Sequence, residues 1–165
     1  MSKGRRRGDD TVADFQFRIH VDNSGGDESA VLQALALIEA VVAINMDFLR
    51  RNPDAMTALA CGCIKYDRKN KNITLRIGDI FSLPIMIRRG WALCIDIVAA
   101  EVAIRRLSGQ QAWALITHGD REGVFHVMVE VQEGDRLVQY DPATELDLTG
   151  KVEETGLIRC PTSHF

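Results

Sequence analysis

The sequence has no low-complexity tract, no internal repeat and no flexible stretch long enough to separate two domains. With 165 residues, of which 46% are hydrophobic and 26% charged, it has the size and composition of one globular domain with a single sizeable core. It also lacks an excess of positive charge, because the formal net charge is -3. This balance argues against a protein that coats nucleic acid with its whole surface.

The local exception to this charge balance is the basic stretch KGRRRG at residues 3–8, which contains Arg5, Arg6 and Arg7. Such a stretch is usually a solvated tail, but it could also dock on an acidic protein assembly or on nucleic acid, and both interpretations stay open. We therefore divide the chain into a basic N-terminal arm, residues 1–10, and a single domain, residues 11–165.

A membrane span and a secretory signal are also missing from the pattern. The most apolar stretch, residues 30–46, contains Gln33, Glu39 and Asn45, which form a polar stripe and predict an amphipathic helix. The N-terminus passes from arginines to acidic and polar residues without an apolar run. Four cysteines in such a chain predict free thiols in a reducing compartment, either the cytoplasm or a macromolecular assembly, and no contact with a membrane.

The hydrophobic periodicity predicts an α+β domain in which the main helices precede the sheet. The predicted elements are, in order, a strand at residues 14–21, a helix at 28–51, extended or irregular stretches at 56–66 and 72–80, a segment at 82–90 that leads into the next helix, a helix at 94–107, and strands at 112–118, 124–131 and 136–141. Short polar turns separate the last three strands, which favours an antiparallel meander.

Cys94 stands where the second predicted helix begins, in the stretch GWALCID. Two interpretations are open at this point. Cys94 could be a small buried hydrophobe, which is the usual role of a cysteine among apolar neighbours. Alternatively, the positive end of the helix dipole and the backbone N–H groups could lower its pKa, stabilise a thiolate and form an oxyanion site.

A histidine and an aspartate in the predicted meander favour the second interpretation. His126 lies on the strand face opposite Val127 and Val129, and Asp141 ends the next strand just before a proline. Neighbouring hairpin strands can place these two side chains together. Because a carboxylate supports an imidazolium and an imidazolium supports a thiolate, Cys94, His126 and Asp141 suit a nucleophilic triad.

The motifs GWALCID, FHVMVEV and QYDPA, in this order, resemble those of the transglutaminase-like superfamily, a branch of the papain-like fold. The resemblance covers roughly residues 78–146, and it departs from the family pattern at Ala92, where a glycine is common, and at Met128, where an aromatic residue is common. It implies a papain-like core in which the nucleophile helix packs on an antiparallel sheet.

The resemblance also implies a cysteine peptidase or isopeptidase that acts on a peptide or protein amide without a cofactor. Cys94 would attack the carboxamide and form a thioester, His126 would move the proton, and Asp141 would orient the histidine. The amide of Cys94, with the indole of Trp91, would bind the oxyanion.

Two alternatives remain. In one, the fold persists without catalysis, as a structural or binding module of a larger assembly such as a phage virion. In the other, Cys61 and Cys63 bind zinc with Cys160 and His164, but the C-x-C spacing matches zinc sites poorly, and we expect buried or idle thiols and no metal.

The remaining polar residues have simpler interpretations. His20 and His118 have no carboxylate at a suggestive spacing, and we expect them to be structural. Asp96 and Glu101 on the second predicted helix are expected to face solvent, where they would pair with nearby arginines, Arg105 and Arg106.

Overall fold

The structure, a computed structural model, describes residues 26–67, 80–118 and 125–144. Its elements are α1 (Gly26–Arg51), a 3-10 helix (Pro53–Thr57), β1 (Lys65–Tyr66), α2 (Leu83–Arg89), β2 (Trp91–Ala92), α3 (Cys94–Leu107), β3 (Ala112–His118), β4 (Phe125–Glu133) and β5 (Arg136–Tyr140). Several predictions lie outside the described residues, namely the basic arm at 1–10 with Arg5, Arg6 and Arg7, the strand at 14–21, His20, Cys160 and His164.

Helix α1 confirms the first predicted helix and forms one side of the core. Its buried side chains recur every three or four residues, as in Ala34, Ile38 and Val42, and this face packs on α3. The Arg106 guanidinium on α3 donates to both carboxylate oxygens of Glu39 on α1, at 2.6 and 2.9 Å. The two long helices are therefore joined by apolar packing and by one bidentate ion pair.

By length and composition, α1 could also cross a membrane. An 18-residue window within Glu28–Arg51 has a mean hydropathy of 1.8, and 33% of that window is buried. A core helix of a soluble protein passes the same test. The buried face of α1 is occupied by α3, which agrees with the predicted amphipathic helix.

Helix α2 lies within residues 82–90, for which the sequence predicted only a segment that leads into the next helix. Pro84 stands in the first turn of this helix, where a missing N–H costs nothing, and Gly90 ends it in the left-handed conformation at φ 71°. The first backbone N–H of α2, that of Leu83, donates to the buried Asn45 Oδ1 at 2.7 Å. This helix of 7 residues is thus capped by a tertiary contact that periodicity could not predict.

The stretch between α2 and α3 adds a second pairing that the sequence did not predict. Strand β2 lies parallel to β1, with Lys65 opposite Trp91 and Tyr66 opposite Ala92. The Lys65 N–H donates to the Gly90 carbonyl at 3.0 Å. This two-stranded pairing holds the chain immediately before Cys94.

The predicted antiparallel meander is confirmed, with the strand order β3-β4-β5. Alternation along β4 buries the side chains of Val127, Val129 and Val131, and this face of the strand packs on α3. His126 lies on the opposite face of β4, where it is partly exposed. The described part of the chain is therefore an α+β domain with α1 and α3 on one side and the meander against α3.

The buried face of α3 can be tested by truncating one of its side chains. Ile97 is fully buried between the helices and the sheet, so Ile97→Ala should lower the free energy of unfolding by about 2–5 kcal/mol through lost burial and a cavity. The control is Leu137→Ala, on a side chain that is 56% exposed, where we expect a change within about 0.5 kcal/mol. Urea titration followed by circular dichroism measures both, and equal effects would contradict this account of the core.

Candidate functional site

The start of α3 is held by a buried carboxylate. Asp96 Oδ2 accepts the Leu93 N–H at 2.9 Å, and Asp96 Oδ1 accepts the Phe81 N–H at 2.7 Å. The prediction that Asp96 faces solvent is wrong, because its side chain is fully buried beneath the segment that enters the helix. An aspartate three residues after the helix-capping position is a signal of the capping-box kind and could have indicated this role.

Cys94 is the first residue of α3 and is the free cysteine of the described residues. It is only 8% exposed, and burial raises the pKa of its thiol to about 11, against an ordinary value of 9.0. Hydrogen bonding from the backbone of Ile95 lowers this pKa, while the negative charges of Asp141 and Asp96 raise it. The prediction of a lowered pKa is wrong for the resting protein because burial outweighs the helix-start amides.

His126 and Asp141 meet at the end of the meander. The His126 Nε2 lies 3.1 Å from Asp141 Oδ2, with the two side chains 38% and 20% exposed. The register makes this possible, because Tyr140 pairs with Val129 and Asp141 follows directly toward the His126 end of β4. The expected juxtaposition of the histidine and the aspartate is therefore present.

Asp141 also accepts two hydrogen bonds from the residues that follow it. Its Oδ1 accepts the Ala143 N–H at 2.9 Å, and its Oδ2 accepts the Thr144 hydroxyl at 2.7 Å. These bonds cap the helical residues 142–144 that follow Asp141. The carboxylate that faces His126 therefore has a defined orientation.

The end of β5 contacts α3 through the Tyr140 side chain. The Tyr140 hydroxyl donates to Glu101 Oε1 at 2.7 Å, and the Arg105 Nε donates to the same oxygen at 2.7 Å. Burial, followed by the bond to Glu101, raises the pKa of Tyr140 above its usual range. The predicted pairing of Glu101 with Arg105 is confirmed, and this cluster holds Asp141, the next residue, beside the helix.

Three elements thus bring Cys94, His126 and Asp141 into one neighbourhood. Asp141 is the common partner, because it lies 3.1 Å from the imidazole and its charge also acts on the thiol. Within the described residues, no hydrogen bond joins Cys94 Sγ to His126. Catalytic hydrogen bonds in proteins without substrate are often long and tighten on binding.

Trp91, expected to contribute to an oxyanion site, packs in an aromatic cluster. Its ring meets Phe81 edge to face, with centroids 6.0 Å apart, and the Arg89 guanidinium lies 5.3 Å from its centroid. Arg89 also lies 3.9 Å from the centre of the Phe81 ring. The structure therefore gives Trp91 a packing role two residues before the helix cap.

The other described cysteines differ from the prediction of free thiols. Cys61 and Cys63 are joined in a disulfide, so they do not offer two separate thiolates to a metal. Among residues 26–67, 80–118 and 125–144, no group of three or more histidine, cysteine, aspartate or glutamate side chains is arranged to hold a metal ion. With this disulfide formed, two of the four ligands proposed for a zinc site are not available as thiolates.

Comparison with known proteins identifies no relative. No family model matches the chain, and neither a curated protein nor a solved structure is significantly similar to it.

Removal of the buried charge tests the role of Asp96. We expect Asp96→Asn to lower the free energy of unfolding by about 1–3 kcal/mol, because the amide replaces one acceptor oxygen with a donor facing a backbone N–H. Asp54→Asn, at an exposed position in the 3-10 helix, is the control and should leave stability unchanged. Thermal unfolding of the three proteins measures the difference, and an equally stable Asp96→Asn protein would contradict the capping role.

The pKa of Cys94 predicts an alkylation profile. Because the folded thiol ionises near pH 11, its labelling by iodoacetamide should be slow at pH 7 and still rising at pH 10. Asp141→Asn removes a negative charge that raises this pKa, so its profile should move to lower pH. Peptide mapping by mass spectrometry follows Cys94 alone.

Rapid labelling of Cys94 at low pH would contradict this profile and would identify a resting thiolate–imidazolium pair. In that state Cys94 would label rapidly at pH 6, and Asp141→Asn would slow the reaction because the imidazolium would lose its carboxylate. Asp54→Asn, whose charge is exposed, serves as the control and should leave the profile in place.

Proposed function

We propose that the chain is a cysteine-nucleophile amide hydrolase of the peptidase or isopeptidase type, with a transglutaminase-like arrangement of Cys94, His126 and Asp141. The single observation that carries the proposal is the position of Asp141, which contacts His126 at 3.1 Å and acts electrostatically on the Cys94 thiol. These residues come from the start of α3, the start of β4 and the position directly after β5.

The elevated pKa of Cys94 favours activation by a general base over a resting thiolate. His126 takes the Sγ proton as the sulfur attacks the carbonyl carbon of the substrate amide. With Nε2 facing Asp141, the other ring nitrogen, Nδ1, is the one left to accept this proton. The Asp141 carboxylate then stabilises the imidazolium that forms.

The backbone amides at the start of α3 supply the electrostatic part of the reaction. The Cys94 N–H, in the first turn, donates to the oxyanion of the tetrahedral intermediate, where the positive end of the helix dipole also acts. Collapse of the intermediate breaks the C–N bond, and the amine leaves with the proton from His126. A thioester between Cys94 and the acyl group remains.

Hydrolysis of the thioester completes the cycle. His126 takes a proton from water as the water oxygen attacks the acyl carbon, and the C–S bond then breaks as His126 returns the proton to the Cys94 sulfur. The products are a carboxylic acid and the restored Cys94 thiol. A substrate amine in place of water would give transamidation through the same steps.

The second candidate function is a catalytically silent module of the same fold, bound within a larger assembly. Two observations favour it: Cys94 is buried with an elevated pKa, and a shallow surface concavity lies at the far end of α3, away from Cys94. That helix has 14 residues and is therefore about 20 Å long. The concavity is lined by Arg106, Gly109, Gln110, Gln111, Ala112 and Trp113.

Substitution of the triad distinguishes the two candidates. On a panel of peptide, isopeptide and ester substrates, Cys94→Ala and His126→Ala should each abolish turnover, because the first removes the nucleophile and the second the base. Asp141→Asn should retain measurable activity, since it weakens only the orientation and charge of the imidazole.

The matched control is Glu130→Ala, on the same face of β4 as His126 but paired with Gln139. It should leave kcat/KM within about threefold of the unmodified protein, as expected for an exposed pair of small energetic weight. The enzyme proposal fails if the folded protein turns over no member of the panel, or if Cys94→Ala retains full activity.

A further inference from the structure

The Cys61–Cys63 disulfide lies in a tight turn between the 3-10 helix and β1. The intervening Gly62 adopts the left-handed conformation at φ 71°, which a side chain would strain, and a Cβ at this position would meet no atom within 4 Å. The glycine is therefore required by the backbone of the turn and not by crowding. This backbone brings two cysteines separated by one residue to bonding distance.

A disulfide of this span contributes little to the stability of a fold. In the chain-entropy account, stabilisation grows with the logarithm of the number of residues in the closed loop, and a sequence separation of 2 gives almost the smallest loop possible. The residues it joins are already neighbours. The bond therefore does not connect distant parts of the chain.

The same turn is built to accommodate the reduced pair. The Cys61 Sγ lies 3.3 Å from the Ala58 carbonyl oxygen, which is an acceptor for a thiol proton. The backbone bonds that frame the turn do not involve sulfur: the Cys61 N–H donates to Thr57 at 2.9 Å and the Lys65 N–H to Gly90 at 3.0 Å. The frame can therefore persist when the S–S bond opens.

Both cysteines are also accessible. Cys61 and Cys63 are partly exposed, in contrast to the buried Cys94. Exchange requires a thiolate to approach a disulfide sulfur, so access is a condition for the reaction.

We propose that Cys61 and Cys63 form a thiol–disulfide exchange site whose co-reactant is a low-molecular-weight thiol. One thiolate attacks a sulfur of the pair, the S–S bond breaks, and the released cysteine thiolate takes a proton from water. A second thiolate then attacks the mixed disulfide, and the other cysteine leaves and is protonated. Two external thiols thus become one external disulfide, and two electrons reduce the pair to a dithiol.

This exchange is independent of the proposed hydrolase, because no step uses Cys94, His126 or Asp141. It takes place beside the same region, since β1 begins two residues after Cys63 and pairs with β2. A failure of amide hydrolysis would leave the exchange proposal intact, and the reverse also holds.

The test uses the full chain and glutathione as the probe thiol. Folded protein is incubated with reduced glutathione without denaturant, quenched with acid, alkylated with iodoacetamide and digested with trypsin. Cleavage after Arg51 and Lys65 releases residues 52–65, which contain both cysteines of the pair and no other cysteine. We expect this peptide to carry two alkyl groups after reduction, and none when the reduced protein is treated with oxidised glutathione before alkylation.

The rate of reduction in the folded protein should lie within about tenfold of that in urea, since attack depends mainly on access and on the ionisation of the thiols. Circular dichroism should show the same helix content in both redox states. Cys63→Ser is the matched variant, because Cys61 then lacks a resolving thiol and should retain one glutathione after oxidation.

Two results would overturn the proposal. In one, the peptide stays unlabelled until denaturant is added, which would make the disulfide a closed structural bond. In the other, it carries two alkyl groups even after oxidised glutathione, which would make the pair a permanent dithiol. Both are measured on the unmodified protein, so the decision does not depend on whether Cys63→Ser folds.

Discussion

The buried carboxylate of Asp96 is the interaction on which the geometry around Cys94 depends. An ionised side chain in an apolar interior is costly unless hydrogen bonds compensate it, and here two backbone N–H groups do so. One belongs to Leu93, at the entry to α3, and the other to Phe81, before α2. A single side chain thus fixes α2, β2 and the first turn of α3 relative to one another.

The other half of the site depends on the register of the meander. Because side chains alternate across a strand, a shift of one residue in β4 would turn His126 into the core and Val127 out of it. Burial of the valine face against α3 excludes that shift. The hydroxyl bond from Tyr140 to Glu101 then holds the end of β5, and with it Asp141, against the helix.

The His126–Asp141 pair and Cys94 differ in their access to solvent. His126 and Asp141 are partly open to solvent, whereas Cys94 is nearly covered and its pKa is raised to about 11. A nucleophile kept as a neutral thiol is suited to reaction only when a base and a substrate act together. The partly exposed Cys61–Cys63 pair has the opposite character, since the exchange proposed for it needs access for an external thiol and no general base from the protein.

The sequence by itself determined the elements whose side chains repeat with a clear period. Helix α3 and the meander follow from it, and so does the placement of His126 and Asp141 on neighbouring strands. Helix α2, the β1–β2 pairing and the bond from Phe81 to Asp96 did not, because each joins residues distant in the chain. Only the tertiary structure decided the protonation of Cys94, because the sequence specifies the helix start that lowers the pKa but not the depth of burial that raises it.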